Sequence, residues 1–492
     1  MNYVSTRGKE KERVSSAYAI KTGLSNDGGL YMPELIPTLT GEEMSSMISM
    51  PYPERCAAIL SKFLTDYTYD ELLSDARDAY STFYDFPAKI SELGELGYML
   101  ELWHGPTAAF KDMALQIMPR LFVRALKKCG ENRTAMILVA TSGDTGKAAL
   151  EGYRDVPATK IKVFYPIDGV SRVQKLQMQT QEGKNVSVVG IEGNFDDAQN
   201  GVKRIFADSD MKGELDSEGV FLSSANSINW GRLVPQIVYY VSAYCDIVKN
   251  GKIALGDKID VCVPTGNFGN IFACYIAKLM GLPVDKLICA SNSNNVLTDF
   301  LRSGVYDRNR KFTTTMSPSM DILISSNLER LLYVTLGAEK TAAYMDSLAK
   351  TGKYTLSDDD FEKIKADFVG YYADEAETAK TVKDIYENKN CLIDTHTAVA
   401  VSATVKYRSE YKAERTILTV STASAYKFAA DVYRSLTDCE PASDLAALDM
   451  LHALTAVEIP EPLSNLATKA VLHDGVIEKD EMDDSVRAFA KE

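Results

Sequence analysis

The run 101–113, ELWHGPTAAFKDM, carries one lysine, Lys111, whose amine could serve as nucleophile, acid and base. Three loops suited to anions follow it in the chain, and a fourth cluster is rich in hydroxyls. A lysine amine supplied with phosphate cradles points to pyridoxal phosphate. Alone, Lys111 would mean little, because a lysine at the start of a helical pattern is ordinarily solvated and Asp112 merely suits a first turn. The chemistry rests on the loops around it.

The loop 264–270 (PTGNFGN) ends the apolar run 259–263 and enters the helical pattern 271–280. Its two glycines let backbone N–H groups converge, and a helix N-terminus adds favourable partial charge. Gly266, Asn267, Phe268, Gly269 and Asn270 thus form a potential phosphate cup, or else an ordinary glycine turn. The loop does not match GxGxxG, so no Rossmann dinucleotide site is expected. The loop 141–147 (TSGDTGK) packs Ser142, Asp144 and Thr145 at a second strand-to-helix junction. A P-loop would need glycine at Thr141 and Ser or Thr at Ala148, so nucleotide triphosphate binding is not expected. In 223–232 (SSANSINWGR), Asn226, Ser227 and Arg232 crowd a helix entrance, as helix caps or as a carboxylate or phosphate site. The cluster 421–424 (STAS) follows the run 416–420, and Thr422 could cap or could meet a cofactor. A hydroxyl against a pyridine nitrogen leaves it largely unprotonated, where a carboxylate would hold a proton on it.

These loops need strands and helices to aim them. Short β-rich runs at 135–140, 161–165, 186–189, 259–263, 287–290 and 416–420 alternate with helical periodicity. That alternation predicts an α/β core with mostly parallel strands, in which ligands gather at the carboxyl ends of strands. Residues 1–95 read as a separate, mainly helical N-terminal unit, with amphipathic stretches at 53–64 and 69–84. The stretch 313–386 is helix-rich, with Ser357 as an N-cap ahead of Asp358 and Asp359. Beyond 438 the chain is helical and acidic, and it is expected to cover the core.

At 492 residues, with 46% hydrophobic and 25% charged residues, the chain suits a globular protein of several units. No apolar run reaches the roughly 20 residues of a membrane span, and 1–16 lacks the apolar core of a secretory signal. Eight scattered cysteines without a CxxC pair read as reduced thiols, which predicts a cytoplasmic protein. Four histidines without ligand spacing make a zinc site unexpected, so no metal is called for. The net charge of −14 opposes nucleic-acid binding. His104, seven residues before Lys111, reads as structural as readily as catalytic, and His396 reads as part of a helix start.

Taken together, 23–33 (GLSNDGGLYMP), HGPTAAFKD, TSGDTG, 169–178 (GVSRVQKLQM), 193–199 (GNFDDAQ), SANSINWGR and PTGNFGN occur in this order over most of residues 20–430. In these motifs the chain resembles the threonine synthases of the long bacterial and fungal type, within the pyridoxal-phosphate fold type II shared with the tryptophan synthase β subunit. The resemblance implies that Lys111 holds pyridoxal 5'-phosphate as a Schiff base and then moves protons among the substrate's carbons. It implies further that residues 266–270 cup the cofactor phosphate, that Thr422 faces the pyridine nitrogen and that Asp144 lies near the ring hydroxyl. The implied substrate is O-phospho-L-homoserine, its phosphate held by Ser142, Thr145, Asn226, Ser227, Arg232 and Arg172, and the product is L-threonine. A phospho-lyase with the same sites, releasing keto acid and ammonia, is the alternative. A non-catalytic relative would be expected to lack Lys111 or GNFGN. The expected division is a helical unit 1–95, a large cofactor unit 96–130 plus 221–440, a small mobile unit 131–220, and a helical extension 441–492. The expected partner is the small-molecule substrate, with neither membrane nor nucleic acid, in a monomer or homodimer.

Overall fold

A computed structural model describes residues 1–492 except 11, 142 and 169. Two sheets carry the fold. The larger runs Phe368–Tyr372, Val284–Ser291, Ile259–Pro264, Ile417–Ser421, Tyr98–Glu101 and Lys89–Glu92 in spatial order. All of its pairings are parallel except the last, where Lys89–Glu92 folds back antiparallel on Tyr98–Glu101. The smaller runs Val476–Glu478, Val186–Glu192, Thr159–Pro166, Thr134–Ala140 and Val220–Ser223, parallel throughout. Every residue of Ile259–Pro264 and of Ile417–Ser421 is buried, as expected of central parallel strands covered on both faces. The chain is thus mixed α/β with mostly parallel sheets. Each of the six apolar runs lies wholly or almost wholly within one of these strands; only 416–420 begins one residue early.

The helix Trp230–Lys249 is buried along nearly its whole length, with Trp230 fully enclosed by Tyr3 and Phe63. Its apolar surface on all sides marks an interior helix, not an amphipathic surface one. N-terminal helices pack on it. The helices Gly41–Met47 and Tyr52–Phe63 are bridged to it by Arg55, which bonds the Met47 and Ile48 carbonyls, Ser242 and Asp246. The segment beyond 441 adds more than helices. Its strand Val476–Glu478 extends the small sheet, and Met482, Val486 and Phe489 of the last helix join that sheet's core.

Parallel strands align their carboxyl ends, so the loops after Thr134–Ala140, Ile259–Pro264, Ile417–Ser421 and Tyr98–Glu101 carry the residues expected to do chemistry.

Candidate active site

Lys111 lies at the N-cap of the short helix Asp112–Leu115, at the end of a loop pinned to the end of Ile417–Ser421. Leu102 N–H donates to the Ser421 carbonyl, and Phe110 N–H to the Thr422 carbonyl. Ala109 and Ala423 form a bridge between the two segments. Ala108 is buried with φ 56°, a left-handed conformation that costs a non-glycine residue about 1–3 kcal/mol and is retained where surrounding structure enforces it. Thr422 is thereby brought close to Lys111.

The Lys111 amine is 3.3 Å from Asp144 Oδ2 and donates to Ser319 Oγ at 3.3 Å. Asp144 opens the helix Asp144–Tyr153 at the end of Thr134–Ala140, so the ion pair joins the two sheets. Lys427, fully buried, approaches Asp144 Oδ1 to 2.9 Å and also donates to the Thr107 carbonyl at 2.9 Å. Gln174 adds a 2.8 Å bond to the same oxygen. Burial would push the Asp144 carboxyl up, but Lys427 and Lys111 hold it well below the usual carboxylate range. Burial pulls the Lys111 amine down; Asp144 opposes this, and Lys427 and Arg232 reinforce it. The outcome is an amine biased toward its neutral, nucleophilic form.

The 264–270 turn departs from its expected geometry in one respect. Phe268, not a glycine, takes the left-handed conformation, with φ 62°, as N-cap of the helix Gly269–Leu279. Gly266 instead permits close approach, since a Cβ there would lie 2.6 Å from the Ser319 carbonyl oxygen. The first-turn N–H groups of that helix are the donors any α-helix leaves free. Asn270 accepts from the Tyr239 and Tyr240 hydroxyls, while its buried Nδ2 has no partner among the described residues. Asn267 is exposed, and its carbonyl accepts from Asn327 Nδ2 at 2.9 Å.

Asn327 Nδ2 also approaches Ser227 Oγ to 3.3 Å, joining the 223–232 segment to this cup. Asn226 and Ser227 are half-buried. Arg232 is buried and donates to the Ala225 carbonyl at 2.6 Å, but its Nε has no partner among the described residues. Burial brings its guanidinium down to about 10. Thr145 lies half-buried in the first turn of Asp144–Tyr153. Arg172, at the start of Arg172–Gln179, is exposed; Gln174, one half-turn on, is the residue of that helix touching Asp144. Ser142 lies outside the described residues.

Sequence reasoning missed Ser319, Lys427, Gln174 and Asn327. Lys427 and Gln174 sit within or next to segments that carried signals, 421–424 and 169–178. Ser319 is 208 residues from Lys111 and had no local signal. His396 does open a helix, Thr395–Tyr411, and it also accepts the Ser319 N–H at Nε2 while its Nδ1 meets Asp394. His104 is buried between Glu101, 2.7 Å from its Nε2, and the stacked ring of Trp103.

An amine tuned toward neutrality, a glycine-relieved turn at a helix N-terminus and an unpartnered buried amide fit pyridoxal phosphate. Comparison with known proteins agrees. Residues 88–423 match the family model described as pyridoxal-phosphate dependent enzyme, and residues 2–80 the model described as threonine synthase N terminus. Threonine synthase of Pseudomonas aeruginosa is 38% identical over 87% of this chain and 89% of its own. Human threonine synthase-like 1 is 41% identical over 87% of this chain, which spans 59% of that relative's length. A pyridoxal-phosphate-bound threonine synthase from Brucella melitensis superposes with TM-score 0.88 at 34% identity over the whole of both chains. Yeast threonine synthase superposes with TM-score 0.89 at 32% identity over 99% of this chain and 98% of its own.

Proposed function

The chain belongs to the threonine synthase family of pyridoxal-phosphate-dependent enzymes, and from that premise we propose that it converts O-phospho-L-homoserine and water to L-threonine and phosphate. One observation carries the reading: around the buried Lys111 amine the chain offers two sets of unmet donors, the 266–270 turn with Asn270 Nδ2 and Arg232 with its Nε, neither atom with a partner among the described residues. A phosphorylated substrate beside a phosphorylated cofactor requires two such places.

When bound, pyridoxal phosphate supplies an electron sink for negative charge at the carbon beside the substrate amine. Lys111 holds the cofactor and, once released from it, takes and returns protons at the substrate's α, β and γ carbons. Burial lowers its pKa, so more of the amine is free to accept a proton than in an exposed lysine. Gly266, Asn267, Phe268, Gly269 and Asn270 would hold the cofactor phosphate, with Thr422 the residue for its ring nitrogen and Asp144 the residue for its ring hydroxyl. Lys427 and Gln174 keep Asp144 ionised and oriented. Arg232, Asn226, Ser227, Thr145 and Ser142 hold the departing phosphate. Arg172 joins them only through an inward movement of its helix.

Water must add at Cβ after phosphate leaves Cγ, and not before. We assign its exclusion to closure of the unit 131–220 on the cofactor unit 96–130 plus 221–440, with 1–95 not separate but packed on the helix Trp230–Lys249 and lending Lys89–Glu92 to the larger sheet, and with 441–492 as the extension. Unchanged hydrogen exchange in 131–220 on adding a phosphonate analogue of the substrate would refute closure. A second reading deserves the same assay, because relatives named threonine synthase-like 1 match as strongly as those named threonine synthase. Holoenzyme given O-phospho-L-homoserine is expected to release threonine and phosphate in equal amounts. Keto acid and ammonia beside the phosphate would assign the phospho-lyase reaction instead, and no phosphate at all would refute both.

A further inference from the structure

A cavity of about 280 Å3 lies between the helices Asp144–Tyr153 and Arg172–Gln179 on one side and the segments 82–84 and 461–469 on the other. It is distinct from the Lys111 site. Its lining residue Glu151 is seven residues beyond Asp144 on one helix, about 10 Å along the axis at about 1.5 Å per residue. The volume is close to the smallest of ordinary ligand pockets, about 300 Å3, and many times the roughly 30 Å3 of one water molecule.

Its polar wall is unusual in composition. On that wall Glu151 pairs with Lys147 at 3.0 Å and with Arg154 at 3.5 Å, and Lys147 also donates to Gln181, so the charges left open among the described residues are Lys469 and Glu461. Gln177, only 1% exposed, also lines it, and among the described residues neither Oε1 nor Nε2 of its side chain has a partner. A buried primary amide with donor and acceptor both unmet marks a missing partner. Pro106, Pro462 and Leu466 complete the wall with apolar surface.

We propose that this cavity is a second ligand site that takes a small α-amino acid as its zwitterion, carboxylate toward Lys469, ammonium toward Glu461, and an aliphatic side chain on Pro106, Pro462 and Leu466. Only a ligand that both donates and accepts meets both open atoms of Gln177. A simple anion would satisfy Nε2 alone and would leave Glu461 unmet. The cavity walls come from both sides of the boundary between the small-sheet helices and the rest of the chain, so an occupant ties those parts together.

The test is calorimetric titration of the holoenzyme with L-valine, with isovalerate and isobutylamine (valine without its ammonium or its carboxylate), and with inorganic phosphate, while the visible band of the bound cofactor is monitored. L-valine is expected to bind one per chain without shifting that band, and the two truncated compounds to bind at least about tenfold more weakly, the cost of one charged contact. Gln177→Met is expected to weaken L-valine at least about tenfold. Glu461→Gln, at an exposed position, is expected to do the same with turnover and urea-unfolding midpoint unchanged. The proposal is overturned if L-valine, L-threonine and L-leucine all fail to bind, or if binding always shifts the cofactor band. Phosphate binding as tightly as L-valine, or a Glu461→Gln variant with parental affinity, would overturn it equally.

Discussion

Replacing Lys427 by Met would separate the electrostatics of this site from its covalent chemistry. In the native chain, Lys427 and Lys111 approach opposite oxygens of the Asp144 carboxylate at 2.9 and 3.3 Å. At a separation of roughly 6 Å and an effective dielectric of about 20, two such like charges repel by about 3 kcal/mol. Removing Lys427 also frees Asp144 to move onto Lys111, which acts in the same direction. The Lys111 amine is therefore expected to titrate higher in Lys427→Met than in the parent. The buried carboxylate loses one cation but keeps Lys111 and the 2.8 Å bond from Gln174, so the stability cost falls at the lower end of the range for breaking a buried pair, about 3 kcal/mol. The assay adds pyridoxal phosphate to cofactor-free protein across a pH series and follows covalent linkage by visible absorbance, with urea denaturation run in parallel. Linkage needs the neutral amine, so the half-maximal pH must move up, and Lys427→Arg must restore it toward the parent. A folded Lys427→Met protein with an unmoved profile would refute this account of the site's electrostatics.

Lys111→Ala should abolish the lysine-linked visible band and turnover together; a surviving band would place the linkage on another lysine. In Gly152→Ala the new Cβ would lie 1.9 Å from the Leu115 carbonyl oxygen, a backbone atom, so the variant should lose about 1–3 kcal/mol or more of unfolding free energy, and a loss below about 0.5 would contradict that packing. Burial raises the Asp112 carboxyl to about 6, against about 3.9 unfolded, so the folded state holds the extra proton between those values and this group's contribution to stability falls as pH rises through that window. Asp112→Asn keeps the Thr107 N–H bond on its oxygen and can reverse the hydroxyl bond, its amide donating to Thr107 Oγ1, so it should gain about 2 kcal/mol on its parent between pH 4 and pH 7 in denaturant titrations, whereas a pH-independent difference would exclude the titration. Arg232→Lys retains charge but loses the fork geometry, and steady-state kinetics should show KM for the phosphorylated substrate rising at least about tenfold while cofactor affinity holds.

Much of this architecture was legible in the chain because it rests on local rules. Apolar runs bounded by glycine and polar turns marked six strands of the two sheets, and Ser357 was readable as a cap because capping spans three residues. The site loops were readable for the same reason: each is a short polar segment directly after such a run. Strands that carry weaker patterns, such as Lys89–Glu92 and the C-terminal Val476–Glu478, were not, since a short half-exposed strand acquires its identity from the neighbour it pairs with.

By itself the sequence determined that Lys111 is followed by a set of anion-suited turns at strand ends, because residue type and spacing dictate what a turn can bind. Only the tertiary structure decided the state of that lysine. The Asp144 that faces it, the Lys427 that competes for Asp144, and the Ser319 that His396 and Gly266 position reach it from segments 33 to 316 residues away. Charge interactions depend on distance and burial, and neither is a property of any stretch of chain until parallel strands bring their carboxyl ends together.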